Sequence, residues 1–117
     1  MMLFLAALLA TNAFAQEMDA QVVELTLLKH RERFRDCYEK QVKLNPDLQG
    51  RMVVAFTLTQ GGKAEGVTLK STTLHNPKVE NCVLQAIREI PDFPPPSSGA
   101  AVQVSYPFKF TPRLRKN

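Results

Sequence analysis

Two cysteines and two histidines are the residues of this 117-residue chain whose types could do chemistry. His30 precedes Cys37 by seven residues, and His75 precedes Cys82 by the same spacing. Two imidazoles and two thiolates would suit Zn²⁺. However, seven helical residues span about 10.5 Å, whereas zinc lies only about 2.0–2.3 Å from each ligand atom. One helix therefore cannot bring both members of a pair to one ion, and we expect neither a metal site nor a cofactor.

The two cysteines read instead as a disulfide, provided that the protein is exported to an oxidising compartment. A Cys37–Cys82 bridge would close a loop of about 45 residues, which stabilises a domain by about 4 kcal/mol in the chain-entropy model. Metal ligation and a pair of free buried thiols are the alternatives.

No pattern in the sequence indicates catalysis. A nucleophile needs a base within hydrogen-bond reach and a third group that orients the base. The sequence contains no nucleophile elbow, zinc-protease helix or phosphate-binding glycine loop. We expect His30 to be a packed, hydrogen-bonded core histidine and His75 to lie in a loop. Gly61-Gly62 is typical of a hairpin turn, and the protein is not expected to be an enzyme.

The N-terminal segment indicates export. It reads MMLFLAALLATNAFA, carries no charge and ends in the small-x-small pattern Ala13-Phe14-Ala15. Its apolar run, Met1 to Ala10, is shorter than the roughly 20 residues that span a bilayer. The sequence thus predicts a signal peptide over 1–15, cleaved after Ala15, and a periplasmic protein. A retained anchor, favoured if the true start lies upstream, and a buried helix are the alternatives.

The charge balance limits the classes of partner. The formal net charge is +4, from 15 basic and 11 acidic residues that are interspersed. So small an excess serves solubility, and nucleic acid is not expected as the partner of an exported protein. Anionic envelope polymers such as lipopolysaccharide or peptidoglycan stay open as partners, especially for the basic tail at 113–117.

Hydrophobic spacing predicts two helices. An apolar stripe with helical period runs from Asp19 to about Lys43, and Asn45-Pro46 ends it. A second helix begins with Asn76 as N-cap and Pro77 at its first position, and continues to about Ile90. The proline-rich stretch that follows, Asp92 to Pro96, is expected to be a rigid, extended connector.

Alternating apolar and polar residues predict three strands. Their expected ranges are Arg51–Thr59, Gly66–Leu74 and Ala101–Phe110. The order αββαβ, with one cysteine on each helix, predicts an α+β domain over 16–112. In this domain two helices pack side by side on one face of a three-stranded antiparallel sheet.

The last strand is the strongest candidate for a binding site. Pro107 removes a ladder donor, so this strand is expected at a sheet edge. Such an edge is either blunted against aggregation or used to dock an extended peptide by strand addition. The candidate docking residues are Gln103, Val104, Ser105, Tyr106, Pro107, Phe108 and Lys109.

Several segments resemble the AgmX/PglI C-terminal domain family, a group similar to TonB C-terminal domains. The resemblance covers nearly the whole mature chain and includes both cysteines. The segments that carry it are His30-Arg31, Cys37 to Lys40, Asn45 to Arg51, Val53 to Leu58, Gly61-Gly62, Ser71 to Pro77, Val79 to Val83, Phe93 to Pro96 and Tyr106 to Phe110.

The resemblance implies a periplasmic interaction domain of a diderm bacterium that binds a segment of an outer-membrane receptor along its last strand. AgmX-like proteins are associated with gliding machinery. TonB-like transducers have an inner-membrane anchor and a long proline-rich spacer, so we expect a free periplasmic domain unless the chain is anchored. A membrane-anchored transducer, a homodimer and a polymer-binding structural protein are the alternatives.

Overall fold

The computed structural model describes residues 19–112, and the structural statements below concern this part of the chain. The predicted signal peptide (1–15) and basic tail (113–117) lie outside the described residues. Residues 19–29 are helical and are called α1. The elements that follow are α2 (Arg31–Val42), β1 (Gly50–Leu58), β2 (Ala64–Thr72), α3 (Pro77–Arg88) and β3 (Val102–Phe110).

Strand β1 is the middle strand of an antiparallel sheet with the order β2-β1-β3. Its apolar side chains point alternately toward the helices and are buried, because successive residues of a strand face opposite sides of a sheet. The inward-facing residues of β1 are Met52, Val54, Phe56 and Leu58. The predicted α+β class is thus confirmed, with three helices on a three-stranded sheet. Between residues 19 and 112, no helix is both long and apolar enough to cross a membrane.

The single helix predicted over Asp19 to about Lys43 is wrong, because the chain breaks at His30. This residue has φ −103° and ψ 17°, outside the helical region. Its N–H donates to the Leu27 carbonyl three residues back, at 3.1 Å. Neither glycine nor proline lies there, so local sequence does not explain the break. At the break, the side chains of Lys29 and His30 both reach Asp92 in the distant connector.

Helix α3 begins as its sequence predicts. Asn76 is the N-cap, and its side-chain oxygen accepts a hydrogen bond from the Val79 N–H at 3.1 Å. Pro77 occupies the first turn, where no helical donor is needed. His75, exposed with φ 53°, lies in the loop before the cap, as expected.

A disulfide joins the helical layer. Cys37 on α2 and Cys82 on α3 are bonded, with their Cα atoms 5.6 Å apart. Next to this bridge, α2 places Phe34 4.9 Å from the Phe108 ring and Tyr38 5.2 Å from the Phe110 ring. The bridge thus fixes to α3 the helix whose aromatic side chains cover β3.

The proline-rich connector after α3 is held against the β1–β2 turn. Gly62 in that turn has φ +79°, and a Cβ atom there would lie 2.3 Å from the carbonyl oxygen of Phe93. The Phe93 ring is buried and packs 5.6 Å from the Phe56 ring. Only glycine combines this backbone conformation with so close an approach.

Loss of the disulfide is expected to lower the free energy of unfolding by about 2–4 kcal/mol, because the unfolded chain regains the freedom of the closed loop. The measurement is urea denaturation of wild-type protein and of the C37S/C82S double variant. Reductant should bring the wild type to the stability of the double variant. Identical midpoints of oxidised wild type and double variant would contradict the expectation.

Gly62→Ala is expected to destabilise the domain by at least about 1 kcal/mol, since the new methyl group meets the Phe93 carbonyl and the backbone is left-handed. Gly61→Ala is the matched control, because a Cβ there lies 3.9 Å from its nearest neighbour. Thermal unfolding of both variants checks this. Equal melting temperatures of the two variants would contradict the expectation, because the Phe93 carbonyl would then have moved aside without loss of stability.

Candidate functional site

The outer side of β3 is a free sheet edge. The Arg51 carbonyl accepts the Thr73 N–H at 2.8 Å, so the backbone groups of Arg51 point toward β2. Backbone groups alternate in direction along a strand, and those of Met52 therefore point toward β3. Met52 is paired with Phe108, whose backbone groups point back to β1. By the same alternation, the neighbouring Pro107 directs its backbone outward.

Three backbone N–H groups point outward with Pro107, which has no N–H of its own. They belong to Gln103, Ser105 and Lys109, which share its alternation. Within residues 19–112, β3 is paired on one side only, with β1. The proline that marked this strand in the sequence therefore leaves the pairing with β1 intact and interrupts the free edge.

The seven candidate docking residues all lie on β3 and divide between its two faces. Those that face the helical layer are Val104, Tyr106 and Phe108, which are partly or fully buried. Those on the opposite, exposed face are Gln103, Ser105, Pro107 and Lys109.

An apolar groove of about 1140 Å³ runs beside the second half of this edge, between β3 and the helices α1 and α2. The apolar residues that line it from the helices are Leu27, Leu28, Phe34, Tyr38 and Val42. From the strand, Tyr106 to Pro112 line the other side. A strand paired with this half of β3 would direct every second side chain to the face of the sheet on which the groove lies.

Basic side chains surround the groove. The cations are Arg31, Arg35, Lys43 and Lys109, and Glu39 is the acid among the lining residues. Arg35 shares its charge with Glu32 at 3.4 Å, and the Arg31 guanidinium donates to the Leu28 carbonyl at 3.0 Å. On the groove's inner side, burial raises the pKa of Tyr106, and the nearby Glu24 carboxylate raises it further.

A cluster of polar side chains lies where α1 meets α2. The Lys29 ammonium and the His30 ring contact separate oxygens of Asp92, at 2.6 and 2.7 Å. The hydrogen bond from Lys29 and then that from His30 lower the pKa of Asp92 to about 2. His30 is hydrogen-bonded, as predicted, but it is partly exposed. The prediction of a core histidine is therefore wrong.

The helical side of the groove was missed by sequence reasoning, which placed no docking residue on the first helix. The signal was present as a second apolar series, Val22, Leu25 and Leu28, spaced three residues apart outside the main stripe. All three are exposed, and Leu28 lines the groove. Between residues 19 and 112, no three metal-ligating side chains come together in a possible metal site.

Comparisons with known proteins identify the family. The family described as Gram-negative bacterial TonB protein C-terminal matches residues 43–112, well over half of the chain. The protein therefore belongs to the TonB C-terminal family. Domains of this family are non-catalytic and periplasmic, and they bind segments of outer-membrane receptors.

A solved structure is also similar to this chain. It is the NMR solution structure of the Helicobacter pylori TonB C-terminal domain, with a TM-score of 0.45 and 15% sequence identity. The alignment covers 74% of this chain and 81% of that one. Among curated proteins, none matches the sequence significantly.

Acid is expected to weaken the fold through Asp92. Its folded pKa of about 2 lies below the roughly 3.9 of an unfolded aspartate. Its contribution is therefore complete above pH 4 and is lost as the pH falls from about 4 through about 2. Urea midpoints measured from pH 7 to pH 2 should fall less steeply for Asp92→Asn than for wild type. The control is Asp36→Asn, an exposed position on α2, whose midpoints should follow those of wild type. Parallel curves for all three proteins would contradict this.

Proposed function

We propose that this protein is a non-enzymatic periplasmic interaction domain that binds an extended segment of an envelope or outer-membrane protein by adding it as a fourth strand to β3. The observation that carries the proposal is the free edge of β3 beside an apolar groove. The edge offers unpaired backbone groups for a ladder, and the groove offers a surface for alternate side chains of the added strand.

The residues at the β3 edge favour docking of an extended segment over a role that only protects the edge against aggregation. Natural edges are blunted by charge, proline or cover, and β3 has both Pro107 and Lys109. Yet Pro107 removes a single donor, and the outward N–H groups of Gln103, Ser105 and Lys109 remain. The groove next to the edge is lined mostly by apolar and aromatic side chains. A purely protective edge has no need of such a surface.

The narrower parts of the proposal rest on the sequence. The resemblance to AgmX/PglI domains supports a place in a gliding-related or TonB-like envelope assembly. The segment 1–15 supports export, with cleavage after Ala15, as a free domain. A transducing role follows if the chain is membrane-anchored.

Site-specific photo-crosslinking in cells tests strand addition. A photo-reactive residue at Gln103 or Lys109, on β3, should capture an envelope protein, whereas one at Glu65 on β2 should not. Ser105→Pro should reduce the crosslink, because it removes an outward donor at a position equivalent to Pro107, which the strand already tolerates. Ser105→Ala keeps the N–H and should crosslink like wild type.

The captured segment, made as a synthetic peptide, gives the quantitative test. Ser105→Pro should weaken its binding by roughly 5- to 100-fold, since a partner carbonyl is left unpaired. Equal affinities of the proline and alanine variants, with both folded by circular dichroism, would refute strand addition. Crosslinks only between copies of this chain, with a dimer in sedimentation, would assign the edge to self-association.

A further inference from the structure

Helix α1 buries two apolar side chains in the core and leaves its other apolar residues exposed. Val23 and Leu27 are buried, at 1% and 2% exposure, whereas Leu25 on the same helix is 65% exposed. Elements with few buried apolar contacts open at lower free energy than the core. The polar contacts of α1 therefore add to the attachment that these two buried side chains provide.

Those polar contacts tie both ends of α1 to the proline-rich connector. At one end, the Asp19 carboxylate accepts the Ser97 N–H at 2.9 Å. At the other, Lys29 and His30 bind Asp92. Helix α1 and the connector therefore run antiparallel. Residue 19 lies beside residue 97, and residues 29 and 30 lie beside residue 92.

The lengths of the two segments agree. From residue 19 to residue 30 a helix advances about 16 Å. From residue 92 to residue 97 an extended proline-rich segment advances about 15 Å. The connector is itself fixed, through Phe93 against Phe56 and Gly62. It is therefore a rigid support to which α1 is hydrogen-bonded at both ends.

The joint between α1 and α2 is a single residue. His30 departs from helical geometry, and the Arg31 side chain caps α1 by donating to the Leu28 carbonyl. Beyond the joint, α2 is fixed by the Cys37–Cys82 bridge. A rotation at His30 can thus move α1 without disturbing α2.

The closed position of α1 affects the first half of the β3 edge. Asp19 and Ala20 lie beside 101–105, with a gap of about 510 Å³ between them. The larger groove accompanies the second half of the strand. With α1 in place, the space beside the first half of the edge is thus less than half of the space beside the second half.

We propose that α1 is a hinged strap: it is tied along the 92–97 connector, it opens as a unit about His30, and its opening gives access to the first half of the β3 edge. Access matters only if the edge docks a strand, so this part rests on the proposed function. The opening itself does not.

Hydrogen exchange on the isolated protein tests the opening. Asp92→Asn removes the charge that binds both Lys29 and His30. It should raise exchange of the α1 amides roughly three- to tenfold, since each exposed ion pair contributes modestly. In both proteins the α1 amides should exchange through an opening of lower free energy than the β1 amides, which exchange through global unfolding. Glu89→Gln is the control, because it removes the Arg33–Glu89 ion pair between α2 and the end of α3 without touching α1. Unchanged exchange in α1, or α1 amides that are as strongly protected as those of β1, would overturn the strap.

The crosslinking positions test the access. In Asp92→Asn, capture of the partner from Gln103 should increase, while capture from Lys109 should stay as in wild type. Equal changes at the two positions would overturn the control of access. If neither position captures a partner in any variant, the proposed function fails, and the exchange result still decides whether α1 opens as a strap.

Discussion

The hydrogen bonds of β1 on both of its sides are the constraint on which the rest of the fold depends. Because β1 pairs with β2 and β3 at once, both neighbours become edges, and its inward side chains lie under the helical layer at 0–2% exposure. A polar substitution at Phe56 or Met52 would leave an unpaired group in this core. The free edge of β3 is thus a consequence of the arrangement that stabilises the domain.

The helical layer then decides what that edge can do. The disulfide fixes α2 to α3, and the rings of Phe34 and Tyr38 on α2 cover Phe108 and Phe110. This leaves a groove between the helices and the strand in place of continuous packing. The segment 19–42, which supplies the helical side of the groove, lies before the residues matched to the TonB C-terminal family. The backbone edge thus lies within the residues of the family match, while most of the helical side of the groove lies before them.

The proline-rich connector links these two parts. It is held by a glycine turn on the sheet side and binds both ends of α1 on the helical side. The connector is stiff, because proline fixes φ and leaves little conformational freedom to lose on folding. It is therefore suited to support α1. The exposed polar contacts along it contribute modestly to stability, and they join both ends of α1 to the connector.

The sequence by itself determined the strands, the second long helix and its Asn76-Pro77 start, because alternation and capping depend on neighbours within a few residues. It also determined the cysteine pair and the edge position of the last strand, since proline cannot serve as a donor in a ladder. Only the tertiary structure decided the break at His30, the binding of Asp92 by Lys29 and His30, and the helical side of the groove. These features depend on contacts between residues more than 60 positions apart, and no local pattern specifies which distant side chain will lie opposite.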